Sequence, residues 1–372
     1  MDAPLFIGSE IYRGSSYGPH HPLRVPRVPT VTDLARSLGW LAPGQFRQSP
    51  RARPAALTAF HTPEYGAALE RAEQTQAVDA ATRARHGLGT LSNPVFPEMF
   101  RRPATAAGGS LLAAELVAGG GAVYNPGGGT HHGMADRAAG FCYLNDPVLA
   151  LSRLRALGLT RLAYVDIDAH HADGVEAAFA GVEGMVLVST HEEGRWPFTG
   201  ALEDRAGGVA FNLPLPRGAH DGDFARALDE VILPAVARHR PEAIVLQCGA
   251  DAVAEDPLSR LAWSNRSHVR AVRALRPLAP RMIVLGGGGY NPWSVGRAWA
   301  SVWAALAGHE IPDRLPEAAE AVLRGLSWSH RLGRNPPEHW FTTLLDAPRE
   351  AAPTPGVAER VAALRARLRA AH

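Results

Sequence analysis

The chain of 372 residues contains no lysine; all 38 of its basic residues are arginine. That excludes chemistry needing a lysine of the chain: a Schiff base, the phosphate-binding lysine of a P-loop, or a kinase-type lysine. Cysteine is nearly as scarce. Cys142 and Cys248 are the only two, too few for a disulfide framework or a thiolate zinc cluster, and consistent with a reducing compartment. No apolar run reaches the ~18 residues that span a bilayer. The opening Met1-Asp2-Ala3-Pro4 lacks the charged and apolar regions of a secretory signal, so a cytoplasmic location without a membrane partner is expected. An excess of either charge is missing too. The 38 basic residues meet 36 acidic ones for a net charge of +2, which gives no reason to expect a nucleic-acid partner. What remains is 46% hydrophobic and 20% charged, enough apolar side chain for a substantial core.

Short apolar runs rich in β-branched residues, at 121–124, 161–168, 184–189, 243–248 and 281–285, read as buried strands. Between them, helical spacing appears at about 146–157, 173–180, 223–238, 265–274 and 292–307. Strand followed by helix, repeated, predicts an α/β fold, a single large domain with a mostly parallel central sheet flanked by helices. Ligands of such folds bind beyond the carboxyl ends of the strands. The first 110 residues, with many Pro and Gly around helices near 31–38 and 63–75, read as long loops laid over the core. Residues 1–345 are expected to form the catalytic domain. Residues 346–372 are expected to form a Pro-containing link and a surface helix over 357–371, whose Val357, Val361, Leu364 and Leu368 share one face.

The run 161–168 leads into Asp166-Ile-Asp168-Ala-His170-His171-Ala-Asp173. Residues two apart in an extended strand point the same way, so Asp166, Asp168 and His170 are expected to face one site if the strand geometry persists to the end of the run. Carboxylate with imidazole suits zinc, iron or manganese. A plainer role for Asp173 is a helix N-cap with Glu176 completing a box, but that leaves two acids at the end of an apolar strand unexplained. Asp251 is a third acid beyond a strand. With Asp168 and His170 it makes the set of two aspartates and one histidine of a catalytic metal site with a position open to water. His131 and His132 follow Gly127-Gly-Gly-Thr, either as ligands or acid–base groups, or as surface histidines on a flexible turn. Tyr290 follows four glycines that lack the phosphate-binding spacing. Its hydroxyl could instead donate to a developing oxyanion.

In order, these segments resemble the histone deacetylase superfamily, including its bacterial acetoin-utilisation and histone-deacetylase-like members, over about 7–308. The motifs are G-G-G-T-H-H, G-F-C-Y-L-N-D from Gly140, Y-V-D-I-D-A-H-H-A-D-G-V from Tyr164, L-Q-C-G-A-D from Leu246 and L-G-G-G-G-Y from Leu285. The resemblance implies a zinc-dependent deacetylase, with Asp168, His170 and Asp251 as zinc ligands and iron(II) as the alternative metal. It implies that His131 and His132 are tandem acid–base groups oriented by Asp166 and Asp173, and that Tyr290 hydrogen-bonds the substrate carbonyl. Gly140 and Phe141, with Trp196 or Phe198 opposite, should line an acyl-lysine tunnel, and Arg27 matches an arginine at its inner end. A structural potassium ion is implied near the backbone of Asp166, Asp168 and His170 and the Ser189 hydroxyl.

Three departures from the eukaryotic pattern stand out. Ser92 beside Asn93 takes the place of a rim aspartate, Arg195-Trp-Pro-Phe-Thr-Gly200 replaces F-F-P-G-T-G, and Leu258 stands where polyamine-selective relatives have a glutamate. The expected substrate is an acyl-lysine protein or peptide, with acetylpolyamine or another small acylated amine as the alternative. A manganese ureohydrolase, or a silent acyl-ligand binding protein, ranks lower.

Overall fold

The computed structural model describes residues 3–370. Eight strands form one sheet: β1 (Leu5–Gly8), β2 (Phe46–Gln48), β3 (Gly121–Asn125), β4 (Leu162–Asp166), β5 (Met185–Glu192), β6 (Ala210–Leu215), β7 (Ala243–Gln247) and β8 (Arg281–Leu285). Their spatial order is β2-β1-β3-β8-β7-β4-β5-β6, and every adjacent pair is parallel. The central strands are covered on both faces, which is why β4 and β7 read as unbroken apolar runs rather than as alternating ones. Ala163 and Val165 of β4 join Ile244 and Leu246 of β7 in one core, with Trp299 and Trp303 of the helix Pro292–Ala307. The intervening Leu162, Tyr164, Ala243 and Val245 face the opposite core, with Ala113, Val148 and Leu151 of the helices Arg101–Leu116 and Asp146–Ala156. The carboxyl ends of β3, β8, β7 and β4 lie side by side, so the loops after them share one edge of the sheet.

The N-terminal region is more ordered than its Pro and Gly content suggested. It supplies β1 and β2 at the sheet edge and most of the buried helix Arg101–Leu116. That helix is rich in Ala and Gly, so its apolar spacing was faint. A Cβ on Gly108 would lie 2.0 Å from the Pro50 carbonyl oxygen and one on Gly109 2.6 Å from Ser49, so the small residues permit close packing. β6 also escaped the sequence reading because its run holds Pro214, a residue an edge strand tolerates. The helix expected over 223–238 is three pieces: Asp221–Ala227, a π turn at Leu228–Ile232, and Leu233–His239. Pro234 lacks the N–H that would continue the ladder, and Leu233 reaches back five residues to Leu228.

The helix Val357–Ala370 buries Val357, Val361, Leu364 and Leu368 in the main core beside Leu213 and Leu215 of β6. Residue 371, the last of its expected span, lies outside the described residues. Before it, Asp346 bonds the fully buried Arg297 at 2.6 Å.

Candidate active site

β4 ends at Asp166, two residues before the expected strand end, so Asp168 and His170 sit on a loop. Strand alternation therefore does not aim them. The loop's own hydrogen bonds do: the Asp168 N–H donates to Asp166 Oδ1 (3.0 Å), the His170 N–H to Asp168 Oδ1 (2.9 Å) and the Ala169 N–H to Asp251 Oδ1 (2.9 Å). Asp251 lies in the short turn Ala250–Ala252 after β7. His170 Nδ1 is 3.0 Å from both Asp168 Oδ1 and Asp251 Oδ2. One ligand atom from each residue lies within 4.8 Å of the others, and both aspartates are fully buried. Two buried carboxylates against one imidazole leave negative charge to be offset. Burial and Asp168 push Asp251 up to about 6. Burial pulls His170 down, but the two carboxylates outweigh it and raise it to about 10. The glycine backbone closes in to complete the cradle. A Cβ on Gly249 or Gly288 would meet an Asp168 or Asp251 oxygen at 2.0 Å, so only glycine fits. Donor set and cradle fit a divalent cation. Among the described residues this is the one cluster of three such ligands, and the second acidic cluster of a two-metal ureohydrolase is not found there.

His131 and His132 are buried, with ring centres 3.9 Å apart. His131 Nδ1 meets Asp166 Oδ2 at 2.8 Å, and His132 Nδ1 meets Asp173 Oδ1 at 2.6 Å. Burial favours the neutral form of both. Asp166 and Asp168 outweigh burial at His131 and push it up to about 9, whereas burial and the charge of His131 pull His132 down to about 4 despite Asp173. Their surroundings thus shift the two imidazoles in opposite directions. Asp173 is not an N-cap. It is the first residue of the helix Asp173–Phe179, Ala172 holds the cap position without a side-chain bond, and Glu176 binds His171 and Asn212 instead.

The same cavity is lined by Gly140, Phe141, Tyr290 and Arg27. Burial raises the Tyr290 hydroxyl well above its usual range, with Asp251 and Asp168 adding to the effect, so it stays a donor. Phe141 stands edge-on to Tyr290, ring centres 5.8 Å apart. The Trp196 ring packs on His132 at 4.6 Å and closes over Gly140. Phe198 does not share this space. It is 74% exposed and lines a separate groove with Glu193 and Asp204. Leu258 packs into the cluster that holds Phe141 and Tyr290. Ser92 is exposed and its carbonyl meets His21, while Asn93 is buried. Arg27 donates to the Gly287 carbonyl at 2.5 Å and lies over Trp299. Ser189 pairs with Asp166 in the β4–β5 register, and its hydroxyl is 3.0 Å from His191 Nδ1.

Several supporting residues went unread in the sequence. Gln247 Nε2 donates to Asp168 Oδ2 at 2.9 Å, and the Tyr164 hydroxyl to Asp166 Oδ2 at 2.5 Å. Asp146 shapes the histidine turn by accepting from the N–H groups of Gly129 (3.0 Å) and Thr130 (2.8 Å). Asn145 donates to the carbonyls of His131 and Gly133. The signal available for Gln247 was a polar residue closing a wholly apolar strand, as for Asp166.

Fold and site together define a parallel α/β protein with a two-carboxylate, one-imidazole cation site beside a histidine pair at the carboxyl edge of the sheet. The histone deacetylase domain model matches residues 21–306. The acetoin utilization protein AcuC of Bacillus subtilis is 34% identical over 330 residues, covering 84% of this chain and 85% of AcuC. Histone deacetylase 9 of Arabidopsis thaliana is 35% identical over 314 residues, covering 82% of this chain and 73% of the plant protein. A crystal structure of an HDAC homologue complexed with SAHA superposes with a TM-score of 0.93 at 32% identity, covering 98% of this chain and 100% of that one. An HDAC homologue from Aquifex aeolicus gives 0.92 at 31% identity, with the same coverage. The chain belongs to the histone deacetylase family of hydrolases.

Proposed function

We propose that the protein is a zinc-dependent amidohydrolase that removes an acyl group, most simply acetyl, from the ε-nitrogen of lysine in a protein or peptide. The observation that carries this reading is the convergence of Asp168, His170 and Asp251 with the two histidine–carboxylate pairs and Tyr290. A divalent cation held by those three ligands would polarise the amide carbonyl and acidify the attacking water. The chain's own groups do the rest. Neutral His132, oriented through Nδ1 by Asp173, presents Nε2 to accept the water's proton. A charged imidazole of the pair then returns a proton to the leaving amine, since opposite protonation states within the pair serve one acceptor and one donor. Tyr290 donates to the oxyanion.

Zinc is the assigned metal, with iron(II) as the alternative. A structural potassium ion is assigned to the backbone of Asp166, Asp168 and His170 with the Ser189 hydroxyl, a reading supported by the pairing of Ser189 with Asp166. Two buried free cysteines support a reducing, cytoplasmic location.

Leu258 favours an uncharged acyl-lysine stem over a polyamine, whose second cation would need a carboxylate partner. Of the acids at the end of β5, Glu192 is buried against Arg195 and Glu193 pairs with Arg360. Competition between an acetyl-lysine peptide and acetylspermidine tests this. The wild type is expected to prefer the peptide, with Leu258→Glu shifting the kcat/KM ratio about 10-fold toward the polyamine; a wild-type preference for acetylspermidine overturns it.

A further inference from the structure

Tyr290 follows four glycines, and Gly287 and Gly289 have φ values of 145° and 129°, so the chain leading to it has little stiffness of its own. Hydrogen bonds fix it instead. Gly288 donates to Asp168 Oδ2 at 2.8 Å, and its carbonyl accepts from Ala250 at 2.8 Å. The Tyr290 N–H then donates to Asp256 Oδ2 at 2.6 Å. The other oxygen of that carboxylate accepts from the Leu258 N–H at 2.9 Å. Asp256 is 3% exposed, and such a group is costly to bury unless its oxygens are bonded. Its own segment is firmly held. The Asp256 N–H donates to the Val253 carbonyl (3.0 Å), Ala254 to the Trp263 carbonyl (3.0 Å), and the Asn291 side chain to the Glu255 carbonyl (3.4 Å).

We propose that Asp256 is a positioning residue. One carboxylate clamps the backbone of the oxyanion donor and the backbone of the wall residue Leu258, so that tunnel wall and Tyr290 hydroxyl hold one geometry together. This rests on the deacylase reading above. Two hydrogen bonds accepted by one buried side chain restrain both backbones at once, and a shift of about 1 Å in a reacting group removes ~100-fold in rate.

Asp256→Asn preserves shape but turns one oxygen into an NH2 that faces a backbone N–H, so one side of the clamp opens. In the zinc-loaded enzyme it is expected to lower kcat about 30-fold and change KM less than about 3-fold, with metal content unchanged. In a Tyr290→Phe background the same substitution is expected to cost under about 3-fold, because the group it acts through is gone. Equal losses in both backgrounds, or no loss in the first, overturn the proposal.

A readout without turnover separates this from the deacylase reading. With 3-fluorotyrosine in place of the seven tyrosines, the 19F resonance missing from Tyr290→Phe belongs to residue 290. It should shift or broaden in Asp256→Asn and in the smaller Asp256→Ser; an unmoved line in a folded variant overturns the clamp. If neither variant folds, hydrogen exchange at the wild-type Tyr290 amide decides: strong protection is expected, and exchange at loop rates overturns it. An inactive wild type would remove the deacylase reading while leaving these two measurements to judge Asp256.

Discussion

Gly140→Ala tests whether Trp196 closes over the tunnel wall. A Cβ at residue 140 would lie 2.3 and 2.5 Å from two Trp196 ring carbons and 2.7 Å from His132 Cδ2. Carbon atoms normally meet at about 3.5–4.0 Å, so the overlap exceeds 1 Å. His132 is pinned by Asp173, whereas Trp196 is 38% exposed, so the indole has to swing outward. The backbone adds strain, because residue 140 has φ 52°. The left-handed conformation costs about 1–2 kcal/mol, and overpacking adds roughly 1–3 kcal/mol. Gly308→Ala isolates the first part, since Gly308 has φ 77° and nothing within 4 Å of its missing Cβ. Thermal unfolding of both variants should show the larger loss for Gly140→Ala. Its kcat/KM should fall by at least about 10-fold as the wall moves off His132, with Gly308→Ala near wild type. Equal stability losses together with unchanged kcat/KM in Gly140→Ala would refute the placement of Trp196.

Tyr290→Phe is expected to keep fold and metal but lose on the order of 100-fold in kcat; near-normal turnover removes Tyr290 from the mechanism. His61 is buried, accepts from the Asn145 N–H, and is pulled by burial down to about 4 from its ordinary 6.5. The unfolded chain therefore binds the extra proton, so the stability linked to neutral His61 is complete above pH 6.5 and lost as pH falls toward 4. Stability measured across that window should fall less steeply in His61→Gln, and equal slopes would contradict it. Asp346→Ala leaves the fully buried Arg297 without its carboxylate and should lower unfolding free energy by about 3–5 kcal/mol, while Asp346→Ala with Arg297→Met should recover part of it; denaturant titration reads both.

The parallel sheet was legible because its central strands are buried on both faces and so appear as apolar runs such as 243–247. Its edges were not. β1 and β2 are four and three residues long, β6 contains Pro214, and the small-residue helix Arg101–Leu116 carries almost no periodic signal. The cluster of Asp168, His170 and Asp251 is legible as acids and a histidine beyond strands, and Asp166 meets His131 as the resemblance implies. Strand alternation does not carry the geometry, because the strand ends at Asp166 and the loop folds on its own carboxylates. Gln247, Asp146 and Asp256 act through hydrogen bonds that include partners distant in sequence, Asp168, Gly129 and Tyr290 respectively, contacts that no local pattern encodes. The resemblance leaves Trp196 and Phe198 as alternatives for the tunnel wall; Trp196 packs on His132, and Phe198 lies in another groove.

The most direct test of the central claim is hydrolysis of an acetyl-lysine peptide by metal-stripped enzyme titrated with zinc. The account predicts no turnover in the stripped protein and activity that rises to a plateau at about one zinc per chain. Full activity after stripping, or none at any zinc occupancy, would contradict it.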